Sequence, residues 1–558
     1  MITFRYLFDQ VQLYKKKVLL ANIIAILVTV ISVPIPLFIP FLVDEVLLGK
    51  EGKFVATVNQ FVTINSPEYY ILIVFVLTLL IHAIVSILNI VRNVYLDKTT
   101  EDIRLNMRKK LFSHLRNVSM SEYDMLGSGA TSSKMGTDVG TVISFLSGSM
   151  GYILVQVLKL IGMSIVLLYL NWKLALVILI LNPLVIKVFI GIFKKLSKLM
   201  KGRNKSIAKF NNSLVESLEL FNQIRVQNRE GHFFDKVNED ATDIRDKTYD
   251  YDVKWRKSIS VAQLLMTYSN LLFKMLAVYF VLKSGMSIGE MMAIFVYAGM
   301  VTAPINMLLR FTQRYHDAKE AMDRLNDILR LKTEPKYEMK TDPFEGKETA
   351  SIELRDVTFA YDENKTVFEK FNLKIEAGEK VAITGETGKG KSTLANMIMG
   401  LYPVTKGEIF YNGVEVKDVG YEKIRENIGF VLQAPLMFNA TLRYNLSLGK
   451  AYSDEDMYEA LKVAQLYEFV DGLDEKLDTI VGKNGTKLSG GQRQRLSIAR
   501  VLLDKPKVII FDESTSSLDM ETEDRLLEAL DEYIKDKTII TIAHRQTTID
   551  KSERVIEL

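Results

Sequence analysis

The chain has 558 residues, a net charge of +4 and no cysteine. Disulfides, thiolate metal sites and cysteine nucleophiles are therefore excluded, and a charge so near balance gives no electrostatic case for a nucleic-acid partner. At roughly 100–200 residues per domain this length asks for several domains; apolar runs crowd the stretch before about Leu309, and the rest has the composition of an α/β protein.

Met1–Tyr14 mixes Phe4, Tyr6, Leu7, Phe8, Val11 and Leu13 with Arg5, Asp9 and Gln10, and Lys15–Lys17 follow. This pattern predicts an amphipathic helix at a membrane surface, not a cleavable signal. A spanning helix needs about 20 mostly apolar residues. Six segments qualify: Val18–Val43, Tyr69–Leu96, Ile143–Leu170, Leu174–Phe193, Ile259–Leu282 and Ile288–Leu309. Pro34, Pro36 and Pro40 interrupt the first, which packed neighbours in a membrane tolerate. Only Asn171, Trp172 and Lys173 separate the third from the fourth, which predicts a tight helical hairpin.

The loops Lys98–Asp138 and Lys194–Ser258 are rich in Lys and Arg, whereas Asp44–Glu68 holds only Lys50 and Lys53. The positive-inside rule puts both basic loops and both termini in the cytoplasm. Helical periodicity runs on through these loops, so the spans are expected to project well beyond the bilayer. Inside the spans lie Lys159, Lys187 and Lys274, each costing roughly 2.5–3.5 kcal/mol at mid-bilayer. Polar residues recur with them at helical spacing: Gln156 with Lys159, and Gln263, Thr267 and Asn270 with Lys274. A similar stripe of His82, Ser86, Asn89 and Asn93 marks the second span. Such stripes turn toward protein or water. Lys187 is near the cytoplasmic end, where a lysine can snorkel.

Arg310–Arg330 continues the sixth helix, and Pro335, Pro343 and Gly346 make the following polar stretch a linker. The expected division is a membrane domain over 1–331, a linker over 332–349 and a second domain over 350–558. In that domain a short apolar strand, Val381–Thr384, runs into Gly385-Glu386-Thr387-Gly388-Lys389-Gly390-Lys391-Ser392, and a helix pattern follows from Thr393. A strand, a loop of the form G-x-x-x-x-G-K-[ST] and a helix make a P-loop. Its glycines let N–H groups point at phosphate, Lys391 neutralises the β and γ phosphates, Ser392 holds Mg²⁺, and the helix N-terminus adds a favourable dipole. Further on, Leu488-Ser489-Gly490-Gly491-Gln492 opens a helix that runs to Leu503. A second strand, Lys507–Phe511, ends in Asp512-Glu513. Ligands of parallel sheets sit beyond such strand ends, which suits Asp512 to Mg²⁺ and Glu513 to polarising an attacking water as general base.

Leu488–Gln492 resembles the signature sequence of ABC ATPases, and with the spans before it the whole chain resembles a half-transporter of the type IV ABC exporter family. The resemblance implies a membrane all-α six-helix domain followed by an α/β P-loop ABC ATPase domain. It implies that Tyr361 stacks on adenine, that Gln433 touches Mg²⁺ and senses the γ-phosphate, that Asp519 meets the opposite subunit, and that His544 contacts the γ-phosphate. It further implies that Ser489, Gly490, Gly491 and Gln492 close over the P-loop of a second copy, Gly385 to Thr393. Ser119–Gly129 and Glu216–Arg225 resemble the two coupling helices. Two positions depart from the family pattern: Lys483 stands where Glu is usual, and Lys389 where Ser or Ala is commoner. Acids on the coupling helices (Glu122, Asp124, Glu216, Glu219) are candidates to face Lys483.

The expected function is ATP-driven export or flipping of an amphipathic substrate by alternating access, with ATP and Mg²⁺ as cofactors. With Glu513, His544 and the signature all present, a homodimer with two active sites is expected in a membrane, the bacterial inner membrane being the expected one. No nucleic acid is expected. The basic stripes favour an anionic lipid or lipid-linked sugar, with Gln156, Lys159, Asn270 and Lys274 as substrate residues. The alternatives are a peptide or multidrug exporter and, with less in its favour, an ATP-gated channel.

Overall fold

The computed structural model describes residues 1–50, 52–61, 66–126, 131–132, 134–148, 153–300, 302–361, 366–513, 520–543 and 549–558. The chain forms two compact units, Met1–Phe112 with Gly129–Leu329, and Ser113–Ser128 with Arg330–Leu558.

The first unit is helical. In α1 (Phe4–Leu13) the Thr3 hydroxyl accepts the Tyr6 N–H (3.2 Å), Leu7 is buried, and Phe8 and Leu13 are exposed. This is the amphipathic segment that the N-terminal pattern predicts. After α2 (Lys15–Ser32) the helix tightens at Ile35–Leu37 and widens into a π-type turn over Phe41–Leu47. The prolines are the cause, because they donate no N–H. Leu37 N–H, which a regular helix would give to the Val33 carbonyl, bonds the Pro34 carbonyl instead (2.8 Å). The freed Val33 carbonyl is met by the hydroxyl of fully buried Tyr297 (2.6 Å). Tyr297→Phe is therefore expected to strand a buried acceptor and lower stability by about 1 kcal/mol. A thermal midpoint in detergent that matches the unsubstituted chain would show that the carbonyl has another partner.

Helix α3 (Pro67–Leu115) has 49 residues. At 1.5 Å per residue it is about 74 Å long, more than twice the roughly 30 Å of a hydrocarbon core. Its last turn and α4 (Met120–Leu126) belong to the second unit. Helix α5 (Leu154–Glu219) is broken at Asn171, whose φ of −157° and ψ of 102° are not helical. There the Asn171 side-chain oxygen accepts the Leu174 N–H (3.1 Å) and caps the continuing helix, in the expected hairpin sequence. After α6 (Phe221–Val226), α7 (Glu230–Ser284) runs 55 residues. Ser206 to Asp243 (2.5 Å), Ser213 to Asp240 (2.6 Å) and Lys209 to Asp240 (2.7 Å) join α5 to α7. Helices α8 (Ile288–Met300) and α9 (Thr302–Arg330) follow. Asp44 accepts the Ser287 hydroxyl (2.5 Å) and the Gly289 N–H (3.2 Å), tying the π-type turn to the start of α8. Arg324 of α9 pairs with buried Asp138 (2.6 Å). Among the described residues four helices are long and apolar enough to cross a bilayer, over Lys15–Leu47, Pro67–Leu115, Leu154–Val177 and Glu230–Lys283; Ile288–Met300 is a shorter apolar one.

Among its described residues the second unit has two sheets. One is antiparallel, with β1 (Ile352–Ala360), β2 (Thr366–Ile375), β4 (Lys406–Tyr411) and β5 (Val414–Glu415) in the order β2-β1-β4-β5. The other is parallel, with β3 (Lys380–Thr384), β6 (Ile428–Val431), β7 (Val508–Asp512), β8 (Thr538–Ile542) and β9 (Arg554–Glu557) in the order β6-β7-β8-β3-β9. Every residue of β7 is buried, as suits an unbroken apolar strand covered on both faces. Leu354, Ile383, Leu394, Tyr411, Ile510 and Ile540 lie in the shared core. Residues 332–342 run along this unit without helix, and 343–346 form a turn: Thr333 bridges Val118, Asp342 pairs with Lys423 (2.9 Å) and Phe344 is buried. The prolines keep helix out of this stretch, and the side chains supply the anchoring.

Candidate nucleotide site

Strands β3, β8 and β7 are neighbours, with Ile383 opposite Ile542 and Ile542 opposite Asp512. The P-loop thus leaves the sheet level with Asp512, two strands away, or about 9–10 Å at the usual strand spacing. The loop ends at Gly390, whose φ is 98° and whose added Cβ would lie 2.6 Å from Val367 Cγ1, so only glycine fits the start of α10 (Lys391–Ile398). At Gly388 an added Cβ would meet nothing within 4 Å, so the loop opens onto free space. Lys391 is buried, and its ammonium donates to the carbonyls of Gly385 (2.7 Å) and Glu386 (3.1 Å). A fixed cation beneath an open loop of glycines is a receptacle for phosphate. Thr387, Lys389 and Ser392 are exposed around it.

Asp512 is buried at the end of β7. Glu513 turns out of the strand with φ 46°, its N–H donating to the Ile542 carbonyl (3.2 Å). That left-handed backbone is uncommon for a residue with a long side chain and is held by the strand contact. Gln433 Nε2 donates to Glu513 Oε2 (2.7 Å), and Gln494 Nε2 donates to the Gln433 carbonyl (3.3 Å). The structure therefore gathers Gln433 and Glu513, 80 residues apart in sequence, at the carboxyl edge of the sheet. Ser392, Gln433 and Asp512 offer hydroxyl, amide and carboxylate oxygens, the donor set Mg²⁺ prefers. Among the described residues no three or more His, Asp or Glu side chains form a metal cluster; Mg²⁺ takes few protein ligands and completes its shell with water and phosphate.

Tyr361 follows β1, is partly exposed, and shares a hydrogen bond with the Thr393 hydroxyl on α10 (2.8 Å). An exposed ring held beside the phosphate loop is suited to stacking on a base. Ser489, Gly490, Gly491 and Gln492 begin α11 (Gly490–Leu503). The Ser489 hydroxyl accepts the Gln492 N–H (3.2 Å) and the Gln492 side chain accepts the Ser489 N–H (2.8 Å). This capping box satisfies two end donors and leaves those of Gly490 and Gly491 without helical partners. Asp519 and His544 lie outside the described residues. Lys483 is exposed, and Asp124, one of the acids expected to face it, is engaged by the Tyr402 hydroxyl (2.9 Å).

In the first unit Gln156 and Lys159 are half-buried on α5. On α7, Asn270 is half-buried, and Lys274 is exposed with its ammonium 5.7 Å from the Phe295 ring centre. Sequence reading overlooked Arg92. It is 3% exposed on α3 and donates to Asn93 Oδ1 (3.0 Å). The available signal was its place three residues after Asn89, on the polar stripe of the second span. Tyr402 carried no motif that could have marked it.

Comparison with known proteins gives the same picture over almost the whole chain. Residues 18–305 match the ABC transporter transmembrane region family, and residues 368–516 the family described as ABC transporter. The chain is 30% identical over 548 residues to "Putative multidrug export ATP-binding/permease protein YgaD" of Bacillus subtilis (strain 168), covering 97% of this chain and 92% of that protein. It is also 30% identical over 563 residues to the Bacillus subtilis (strain 168) "Uncharacterized ABC transporter ATP-binding protein YwjA", covering 99% and 93%. The fold matches a solved structure of a bacterial Atm1-family ABC exporter with ATP bound, with a TM-score of 0.82, 22% identity, and coverage of 98% of this chain and 93% of that one. A helical membrane domain fused to an α/β ATPase domain, matched end to end by proteins of the same plan, makes this chain a member of the ABC transporter family: an integral membrane half-transporter of the exporter type that couples ATP hydrolysis to transport.

Proposed function

We propose that two copies of this chain form an exporter that carries an anionic amphipath, such as a phosphate-bearing lipid or lipid-linked sugar, out of the cytoplasmic leaflet of a bacterial inner membrane. The ATPase domains and both termini face the cytoplasm, in keeping with the basic loops. Lys391 and the P-loop N–H groups bind the phosphates of ATP, Tyr361 stacks on the base, and Ser489–Gln492 of the second copy cover the γ-phosphate; His544 is assigned to contact the γ-phosphate and Asp519 to meet the second copy. Glu513, oriented by Gln433, accepts a proton from the attacking water. Mg²⁺, held by Ser392, Gln433 and Asp512, would neutralise phosphate charge.

The observation that carries the substrate reading is two cations in apolar helices, Arg92, 3% exposed on α3, and Lys159, half-buried on α5. Cations so placed are costly in lipid and mark substrate paths. Gln156, Asn270 and Lys274 add polar groups on α5 and α7. A second reading, broad amphipath export, is favoured by the multidrug export description of the relative YgaD.

ATPase stimulation in lipid nanodiscs separates the two. Anionic amphipaths are expected to stimulate more than zwitterionic or cationic ones, and Lys159→Ala/Lys274→Ala to remove most of that preference. Equal stimulation by all three classes, unchanged in the double variant, would favour the broad reading and discard the anionic one.

A further inference from the structure

Helix α4 is held against the ATPase unit at both its entry and its middle. Before it, the Ser119 N–H donates to the Lys332 carbonyl (3.0 Å) and the Glu334 N–H to the Asn117 carbonyl (2.7 Å). Within it, Asp124 accepts the hydroxyl of Tyr402 (2.9 Å). The Tyr402 ring meets the Tyr361 ring edge-on, 5.5 Å between centres and 80° between planes. Tyr361 in turn shares its hydroxyl hydrogen bond with Thr393, two residues past the P-loop lysine (2.8 Å). Phe359 closes the cluster, 5.7 Å from Tyr402 and 5.1 Å from Tyr361. Burial first, and then the Asp124 carboxylate, push the Tyr402 hydroxyl well above the ordinary phenol range.

We propose that Tyr402 is a positioning residue that transmits base stacking on Tyr361 to the Asp124 carboxylate, so that nucleotide occupancy fixes α4. The proposal rests on the reading that Tyr361 stacks on adenine. A planar base laid on Tyr361 restricts the ring that Tyr402 packs against. Edge-to-face packing depends on angle, and the Tyr402 hydroxyl can hold Asp124 only over a narrow range of ring positions. The contacts run without a gap from the P-loop helix to α4, all within the second unit. Because α3 ends only a few residues before α4, a change in α4 is delivered directly to the end of a long helix.

The test is amide hydrogen exchange of residues 121–126 in the full chain in nanodiscs, with and without saturating MgATP, together with MgATP affinity measured separately. In the unsubstituted chain MgATP is expected to slow exchange there roughly fivefold or more, the lower end of ordinary coupling between sites. Tyr402→Phe keeps the ring and removes the donor, and should abolish most of that slowing while MgATP still binds. Asp124→Ala, at an exposed position, should do the same, and Asp124→Asn, which keeps an acceptor, should restore it. Full ATP-dependent slowing in Tyr402→Phe and in Asp124→Ala overturns the proposal. Tyr361→Ala tests the underlying reading by itself: it should weaken MgATP binding about tenfold, in the range of a lost base–aromatic stack. Unchanged affinity would dismiss the stacking role whatever the exchange data show.

Discussion

Glu513→Gln is expected to bind MgATP normally and hydrolyse it at least about 100-fold more slowly, the lower end of what a positioned general base contributes. That is roughly 2.7 kcal/mol of barrier. The substitution is nearly isosteric and keeps a side-chain oxygen that can accept from Gln433 Nε2 as Glu513 Oε2 does now at 2.7 Å. The strand-end geometry is also kept, since the backbone N–H of residue 513 still reaches the Ile542 carbonyl. What is lost is basicity alone, so the ATP-bound state should accumulate. Steady-state turnover within about twofold of the unsubstituted chain, under roughly half a kcal/mol, would remove Glu513 from the role of base.

Ser489→Arg is expected to abolish hydrolysis in a homodimer. A long cation replaces the residue that caps α11, loses the acceptor for the Gln492 N–H, and fills the space in front of the Gly490 and Gly491 donors. Lys391→Ala should be equally inactive, because it removes the one buried cation of the P-loop. Mixing the two inactive chains discriminates between composite and self-contained sites. If each site takes its P-loop from one copy and its signature from the other, every mixed dimer has one site with both lesions and one with neither. Half of all dimers are then mixed and each has half its sites intact, so about a quarter of the unsubstituted activity returns. If each site is built from a single chain, no dimer has an intact site, and activity stays at the level of the parents.

The sequence made the nucleotide site legible because phosphate binding needs backbone geometry, and backbone geometry needs particular residues at fixed spacing. Gly390 must be glycine to start α10 without striking Val367, and that requirement is written into the motif. Asp512 and Glu513 were legible because two acids closing an apolar strand are costly to bury and are retained where a ligand repays them. The break at Asn171 was legible from three polar or aromatic residues between apolar helices. Gln494 and Tyr402 were not, since each acts through one contact that depends on how distant segments pack. Arg92 was hidden for another reason: its neighbours at helical spacing read as a neutral polar stripe, which masks the charge at their edge. The first span shows the same limit. Its prolines announce irregular backbone, but nothing local says that Tyr297, 264 residues away, supplies the missing hydrogen bond.

Helix α3 has mechanical consequences. After Pro67 it contains neither proline nor glycine over its remaining length, so it lacks the usual causes of a sharp kink. It should behave as a stiff lever. For a rod about 74 Å long, a tilt of about 5° at one end moves the other by about 6 Å, close to one helical turn. Motion of that size can be transmitted along the helix without melting a single turn, and the work of the stroke then falls on side-chain repacking along the rod rather than on its backbone hydrogen bonds.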